Sequence, residues 1–370
     1  MRIGIDARAL GGGGGGDENY IRNVIRALGA VDPDNDYTLF VTPGLTQPTI
    51  SGAERMRRVA LRPRNLQARI LFSMPLAVAS AGIDVLHAQY LAPPLCSARI
   101  VVTVHDISFE HYPQFFTPAA VTQLRALVPL TVRRAYAVLT VSEFSKRDIV
   151  RRYCVAPERV FVAHGEADPM FRLFHDEGLL ADVRARYGTG ERFILCVANL
   201  QPRKNLRTLI AAYVKLRRAD ATRHRLVLVG RKAWLHDDTF AAARTSGYAD
   251  DLVFTGYVPD VDLVALYNAA DLFAYPSIFE GFGAPPLEAM TCGTPVVTTN
   301  TSSIPEVVGD AALLVDPLDA EAMAQAIATV LHDPCLQAQL SAQGLRRATA
   351  FSWDIAGRTI VDVYNSVLRR

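Results

Sequence analysis

Cysteine is scarce in this chain, and its placement predicts neither a disulfide framework nor a zinc site. The 370 residues include five cysteines, an odd and scattered set without a Cys-x-x-Cys pair. Paired cysteines at short spacing are the usual signal for both kinds of site. We therefore expect buried free thiols in a reducing compartment.

The chain also lacks an excess of charge and a long apolar run. Its formal net charge is +2, which predicts no field strong enough to bind nucleic acid. No apolar run reaches the roughly 18 residues that indicate a transmembrane helix. Residues 1–6 have the pattern of a strand rather than of a signal peptide. We expect a cytoplasmic protein.

The sequence does contain two successive sets of short apolar runs that alternate with helical patterns. Cores stop growing at about 250–300 residues, so this length predicts two domains. Apolar strands joined by helices are typical of α/β proteins with parallel sheets covered on both faces. We assign the first domain to residues 1–175 and the second to 190–352. A polar, irregular linker, Asp168–Gly190, separates them, and a final helical segment, 354–370, follows the second domain.

Each domain has its own set of predicted strands. Those of the first domain are Arg2–Asp6, Tyr37–Val41, Asp84–His87, Ile100–Val104 and Ala137–Val141. Those of the second are Phe193–Val197, Arg225–Val229, Leu252–Thr255, Leu272–Tyr275, Pro295–Thr298 and Ala312–Val315.

Six consecutive glycines, Gly11–Gly16, follow the first strand. They match a dinucleotide-binding pattern trivially, but that pattern should begin directly after the strand, and here Ala7–Leu10 intervene. Two interpretations remain. The run is either a flexible loop or a backbone loop that approaches an anion ahead of the helix near Asp17.

Two adjacent cations, Arg203 and Lys204, follow the strand Phe193–Val197. The carboxyl ends of strands in open α/β sheets are where ligands bind. Arginine offers a planar fork and lysine a point charge, a pair suited to a diphosphate. A solvated basic turn is the alternative.

A second candidate segment, 280–288, follows the strand ending at Tyr275. Gly281 and Gly283 permit close approach of the backbone, and two prolines suit the start of a helix with free amides. Glu280 lies in the loop and Glu288 in the first turns of that helix, where carboxylates suit sugar hydroxyls.

The glutamates of EGFGAPPLEAMTCGTPVV form an E-x7-E pattern that resembles the retaining glycosyltransferases of family four (glycosyl transferases group 1). Supporting matches run along the whole chain, among them GIDARAL, VVTVHDISF, VLTVSEFSKRDIV, NLQPRKNL and SSIPEVVGDAALLVDP. The resemblance implies the GT-B fold, in which two facing Rossmann-like parallel-sheet domains enclose a cleft. It also implies that the helix at 354–370 packs back on the first domain. A cleft between two domains predicts that they close on each other.

The resemblance further implies a set of site residues. Arg203 and Lys204 would neutralise the donor diphosphate, Glu280 would hold sugar hydroxyls and Glu288 the ribose. His105 would reach the sugar from the first domain. Other donor-binding residues would be Gly14, Gly15, Gly16, Tyr257, Val258, Phe282, Gly283 and Ala284.

The implied reaction transfers a hexose, with mannose favoured, from a GDP- or UDP-sugar to a saccharide or lipid-linked saccharide, with retention and without a metal or other cofactor. A UDP-glucose-type donor and a non-catalytic nucleotide-sugar-binding protein are alternatives. The tripeptide Asp260-Val261-Asp262 resembles a metal-binding DxD only superficially, because Asp260 is a natural N-cap.

Two segments bear on the acceptor and on location. The basic stretch Arg55–Arg69 could meet an anionic membrane or a lipid-diphosphate acceptor, or it is a solvated surface. Around 162–168 and at Asp17 and Glu18 the chain departs from the family pattern. The acidic pair argues against a strongly anionic acceptor at the glycine loop.

Overall fold

The computed structural model describes residues 1–12, 15–45, 48–234 and 237–369. The chain divides into two compact units. The first comprises Met1–His111, Ala119–Gly165 and Ser352–Arg370, and the second comprises Tyr112–Pro118 and Glu166–Phe351. Among the described residues, every helix is too short or too polar to cross a membrane.

The elements alternate along the chain, as the sequence predicts for an α/β protein. The strands are β1 (Arg2–Asp6), β2 (Asp36–Val41), β3 (Arg57–Ala60), β4 (Val85–Gln89), β5 (Arg99–Thr103), β6 (Ala137–Thr140), β7 (Val160–Val162), β8 (Phe193–Val197), β9 (Arg225–Val229), β10 (Leu252–Gly256), β11 (Leu272–Tyr275), β12 (Val296–Thr299) and β13 (Ala312–Val315). The helices are α1 (Gly16–Val31), α2 (Leu66–Ala68), α3 (Met74–Ser80), α4 (Ser108–His111), α5 (Pro118–Arg134), α6 (Glu143–Tyr153), α7 (Glu177–Tyr187), α8 (Leu206–Arg218), α9 (Asp237–Arg244), α10 (Asp260–Ala269), α11 (Ala284–Thr291), α12 (Ile304–Val308), α13 (Ala320–His332), α14 (Pro334–Ala348) and α15 (Trp353–Arg369). A π-helical turn, Arg69–Ser73, joins α2 to α3.

Each unit is built on one parallel sheet. The first has the strand order β3-β2-β1-β4-β5-β6-β7 and the second the order β10-β9-β8-β11-β12-β13. The central strands are buried along nearly their whole length, which explains their uninterrupted apolar sequences. In both sheets the order reverses beside the first strand, so a crevice is expected between β1 and β4 and between β8 and β11.

The last helix, α15, belongs to the first unit and packs on α1. Gly357 permits this close approach, because a Cβ there would lie 3.1 Å from side-chain atoms of Ala27 and Val31. The hydroxyl of Tyr364 on α15 also lies 2.6 Å from Nδ1 of His87 on β4. Packing and a buried hydrogen bond therefore hold the end of the chain to the first sheet.

The predicted α/β class and parallel sheets are confirmed, and the predicted bounds of β1, β8, β9, β11 and β13 agree with the structure. The interpretation of 168–190 as irregular throughout is wrong, because α7 lies within it. Asp176 caps α7 by accepting a hydrogen bond of 3.0 Å from the Leu179 amide. Gly188 ends the helix with a φ of +62°.

Two expectations about side chains need correction. Of the free cysteines, Cys196 and Cys292 are buried as expected, but Cys154 and Cys335 are exposed. Asp260 is the first residue of α10 rather than its cap, which is Pro259.

The basic stretch 55–69 is not uniformly at the surface. Arg69 is buried, donates a hydrogen bond of 2.8 Å to the Phe40 carbonyl, and lies 3.5 Å from Asp6. The other five arginines of the stretch are exposed: Arg55, Arg57, Arg58, Arg62 and Arg64.

Candidate active site

The predicted site of the second unit forms where β8 and β11 end. After β8 the chain passes through a 3₁₀ turn, Pro202–Lys204, and enters α8 through Asn205, whose φ is +55°. After β11 a loop leads to α11. Since the two strands are neighbours and their onward connections diverge, both loops border one crevice at the sheet edge.

Two cations and one carboxylate meet in this crevice. Lys204 Nζ lies 2.5 Å from Glu280 Oε1, and Arg203 Nη1 lies 3.2 Å from Oε2 of the same carboxylate. Arg203 also donates a hydrogen bond of 2.6 Å to the Phe279 carbonyl. Lys204 is 9% exposed and Glu280 7% exposed. The structure thus brings Arg203, Lys204 and Glu280 into direct contact.

The electrostatics of this cluster fix Glu280 as an anion. Burial alone would raise the pKa of Glu280, but the charges of Lys204 and Arg203 outweigh it and lower the pKa to about 2. The hydroxyls of Ser277 and Tyr275 donate to Oε1 over 2.5 and 2.8 Å. Burial and the nearby Glu280 raise the pKa of Tyr275 well above its usual value, so this donor keeps its proton.

The loop that carries Glu280 is fixed from the end of β12. Ser302 Oγ accepts a hydrogen bond of 2.9 Å from the Glu280 amide, and Ser303 Oγ donates to the carbonyls of Glu280 and Phe282 over 2.9 and 2.7 Å. Sequence reasoning missed these serines, as well as Tyr275 and Ser277. The signal that could have found them is their place at or just after the carboxyl ends of β11 and β12.

The segment 282–284 forms the entry to α11. Gly283 precedes the helix with a φ of +111°, and a Cβ at this position would lie 2.9 Å from Ile304 Cδ1. The half-buried Phe282 and exposed Ala284 flank it. The first amides of a helix lack intrahelical partners and favour an anion, so this turn can bind phosphate or a sugar oxygen.

Glu288, four residues into α11, has a different environment from Glu280. It accepts a hydrogen bond of 2.8 Å from the Tyr267 hydroxyl. Burial raises the pKa of Glu288 to about 7, with further contributions from the negative charges of Asp260 and Asp168, although the Tyr267 bond acts in the opposite direction. Glu288 therefore changes charge near neutral pH.

Tyr257 and Val258 follow β10 on the same sheet. Val258 is buried, whereas Tyr257 is 54% exposed. The guanidinium of Arg231, just after β9, lies 4.1 Å from the centre of the Tyr257 ring, a cation–π contact. The pair offers a flat, exposed surface at the carboxyl edge of the sheet.

The remaining predicted residues lie in the first unit. His105, just beyond β5, has Nε2 3.3 Å from Gln89 Oε1 and 3.8 Å from Asp17, and its ring meets Tyr20 edge-on at 4.4 Å. Burial lowers the pKa of His105, although Asp17 and Asp106 oppose the shift.

The glycine loop lies at the start of α1. Gly15 precedes the helix with a φ of +141°, and Gly16 is its first residue. The Gly11 amide donates a hydrogen bond of 2.8 Å to the Glu18 carboxylate. Glu18, which departs from the family pattern, therefore binds the glycine loop itself. Gly14 lies outside the described residues.

The described part of the chain contains no group of three or more His, Cys, Asp or Glu side chains arranged to bind a metal. Asp262 of the DxD-like tripeptide pairs with Arg186, whose Nη1 lies 2.8 Å from each carboxylate oxygen, and accepts 2.7 Å from the Tyr187 hydroxyl. These contacts give Asp262 a structural role between α7 and α10.

Two family models match this chain, one in its first half and one in its second half. The family described as "Glycosyl transferases group 1" matches residues 183–347, and "Glycosyltransferase Family 4" matches residues 14–168. O-antigen chain mannosyltransferase B of Escherichia coli is 34% identical over 266 residues, which are 72% of this chain and 70% of that protein.

Solved structures agree on the fold. The sucrose-phosphate synthase of Thermosynechococcus elongatus has a TM-score of 0.81 at 21% identity, covering 100% of this chain and 99% of that one. HepE of Anabaena, in complex with UDP and glucose, has a TM-score of 0.77 at 21% identity over 99% and 100% of the two chains.

The fold and the family matches define an enzyme, a glycosyltransferase with the GT-B fold. Within that class, the chain belongs to the group 1 glycosyltransferases of family four.

Proposed function

We propose that this enzyme is a retaining hexosyltransferase that moves mannose from GDP-mannose to a saccharide or lipid-linked saccharide. The observation that carries the proposal is the buried contact of Arg203 and Lys204 with Glu280 at the carboxyl edge of the second sheet. Similarity to an O-antigen mannosyltransferase favours mannose as the sugar and polysaccharide assembly as the setting.

The cation pair would stabilise the leaving group. Departure of a sugar puts negative charge on the diphosphate, and fixed cations in a buried site act on such charge more strongly than in water. Guanidinium and ammonium groups carry five and three donors. Both cations can bind phosphate oxygens through such donors, so the proposed step requires no metal.

Glu280 would act by holding sugar hydroxyls rather than as a nucleophile. Its carboxylate already accepts from Lys204, Arg203 and two hydroxyls, and its pKa of about 2 makes it a weak base. The anomeric configuration is then retained because the acceptor hydroxyl attacks the anomeric carbon from the same face of the sugar from which the diphosphate departs. The leaving phosphate takes the acceptor proton.

Other groups of the second unit would hold the nucleotide. Glu288 would bind the ribose hydroxyls, the exposed Tyr257 ring would lie beside the base, and the amides of 282–284 would bind phosphate or sugar.

A transfer assay tests this function. The protein is incubated with GDP-mannose or UDP-glucose, a mannose oligosaccharide and EDTA, and release of nucleoside diphosphate is measured together with the anomeric configuration of the product by NMR. We expect GDP release and an axial anomeric product. Turnover with neither donor, or an inverted product, contradicts the proposal.

A UDP-hexose is the second candidate donor. It is favoured by the structural similarity to HepE, which was solved with UDP and glucose. Faster release of UDP than of GDP in the same assay would replace mannose by that sugar and leave the roles of Arg203 and Lys204 in place.

A further inference from the structure

Large apolar side chains project from one surface of the first unit. In the helical segment 66–80, Leu71, Phe72 and Leu76 are 50%, 65% and 71% exposed. On α5, Leu127 and Leu130 are also exposed. We call these five residues the apolar face. Contiguous exposed apolar surface of this kind marks an interaction site.

The two helical segments form one surface rather than two separate patches. Leu71, Leu127 and Leu130 line the same cavity of about 260 Å³, and the guanidinium-bearing Arg134 lines it as well. An apolar groove with a cation at its rim joins the helices.

The segments that carry the apolar face contain no acidic residue. Residues 55–83, 85–105 and 119–142, which include both helical segments and the loops beside the groove, contain no Asp or Glu, and Glu110 pairs with Arg125 of α5 at 3.4 Å. The same stretches hold the exposed Arg62 and Arg64, directly before α2, and Arg133 and Arg134 at the end of α5. The segments that carry the apolar face are therefore both apolar and basic.

We propose that the apolar face docks the enzyme on an anionic lipid bilayer. Interfacial helices bury an apolar side at the level of the acyl chains while basic residues meet the head groups. A second copy of the chain would instead bring the same arginines against each other, which opposes self-association. Docking does not depend on the identity of the donor or acceptor.

Vesicle flotation tests the proposal. The full chain is mixed at low salt with vesicles of phosphatidylcholine alone or with phosphatidylglycerol added. Wild type is expected to float with the anionic vesicles, and the Phe72→Ser/Leu76→Ser variant to bind at least tenfold more weakly. Each change Arg62→Gln or Arg64→Gln should weaken binding about fivefold.

Two control variants separate docking from general surface polarity. Ile355→Ser and Leu318→Ser remove similarly exposed apolar side chains elsewhere and should float like wild type. All variants should keep the wild-type melting temperature, since the residues changed are exposed. The proposal is overturned if wild type does not bind anionic vesicles, or if Phe72→Ser/Leu76→Ser binds as well as wild type. It is also overturned if wild type sediments as a dimer and the Phe72→Ser/Leu76→Ser variant sediments as a monomer.

Discussion

Replacing Glu280 by Gln tests the buried charge cluster in the second unit. The change keeps the shape of the side chain but leaves Lys204 and Arg203 buried without their anion. The folded-state pKa of Glu280 is about 2 against an ordinary 4.5, a difference that corresponds to about 3 kcal/mol. Breaking one side of a buried ion pair costs about 3–5 kcal/mol. We therefore expect Glu280→Gln to lower the free energy of unfolding by about 3 kcal/mol at pH 7.

The stabilisation that Glu280 provides depends on pH in a definite direction. Because the folded-state pKa lies below the unfolded value, the contribution of Glu280 is complete above about pH 4.5 and is lost as the pH falls towards 2. The stability difference between wild type and Glu280→Gln should therefore shrink as the pH is lowered from 6 to 3.5.

Urea unfolding followed by tryptophan fluorescence measures the difference. The chain has two tryptophans, so in a Trp353→Phe background the signal comes from Trp234 in the second unit. Glu110→Gln serves as the control, since Glu110 pairs with Arg152 at 2.7 Å in the first unit. It should leave the Trp234 transition and transfer activity unchanged. Equal stability of Glu280→Gln and wild type at pH 7, or a difference independent of pH, would refute the electrostatic account.

Three further variants address neighbouring parts of the site. Lys204→Met should reduce transfer on the order of 10²-fold, as removal of one charge-stabilising group does, and unchanged turnover in a steady-state assay would contradict its role. The pKa of Glu288 is raised to about 7 in the folded protein, so ionisation of Glu288 lowers the free energy of unfolding progressively as the pH rises from 4.5 to 7. Glu288→Gln should thus be more stable than wild type at pH 8, by on the order of 1 kcal/mol after allowance for solvent screening. Calorimetry should show a pH-dependent nucleotide affinity in wild type and none in the variant, and identical pH profiles would count against a ribose-binding carboxylate. Gly283→Ala should destabilise the fold by about 1–3 kcal/mol, through its φ of +111° and a 2.9 Å contact with Ile304. Gly247→Ala, where φ is +80° but nothing lies within 4 Å, is the control and should cost less in thermal unfolding.

Much of the fold could be predicted because its strands are buried on both sides. β8, β9 and β11 consist almost wholly of apolar residues, and their bounds agree with prediction. The edge strand β3 escaped notice, since its sequence RRVA has two exposed arginines and no apolar run. Helix α7 was missed because only Leu180 and Val183 are buried in an otherwise charged segment.

The charged residues of the site were predictable, but their partners were not. Arg203, Lys204 and Glu280 stand out as charges at strand ends. Tyr275 and Ser303 are common residue types, and their hydrogen bonds to Glu280 depend on loops that meet only in the folded chain. Arg69 shows the reverse case, a charge that sequence places at the surface and that packing against Asp6 and Phe40 buries.

The proposed role of the Arg203–Lys204–Glu280 cluster is to bind the diphosphate of a nucleotide sugar. Isothermal titration of GDP-mannose, UDP-glucose and NAD into wild type and Lys204→Met tests it most directly. The account predicts one saturable site for a nucleotide sugar in wild type and an affinity at least tenfold weaker in Lys204→Met, with no binding of NAD. Equal affinity in the two proteins, or binding of NAD alone, would contradict it.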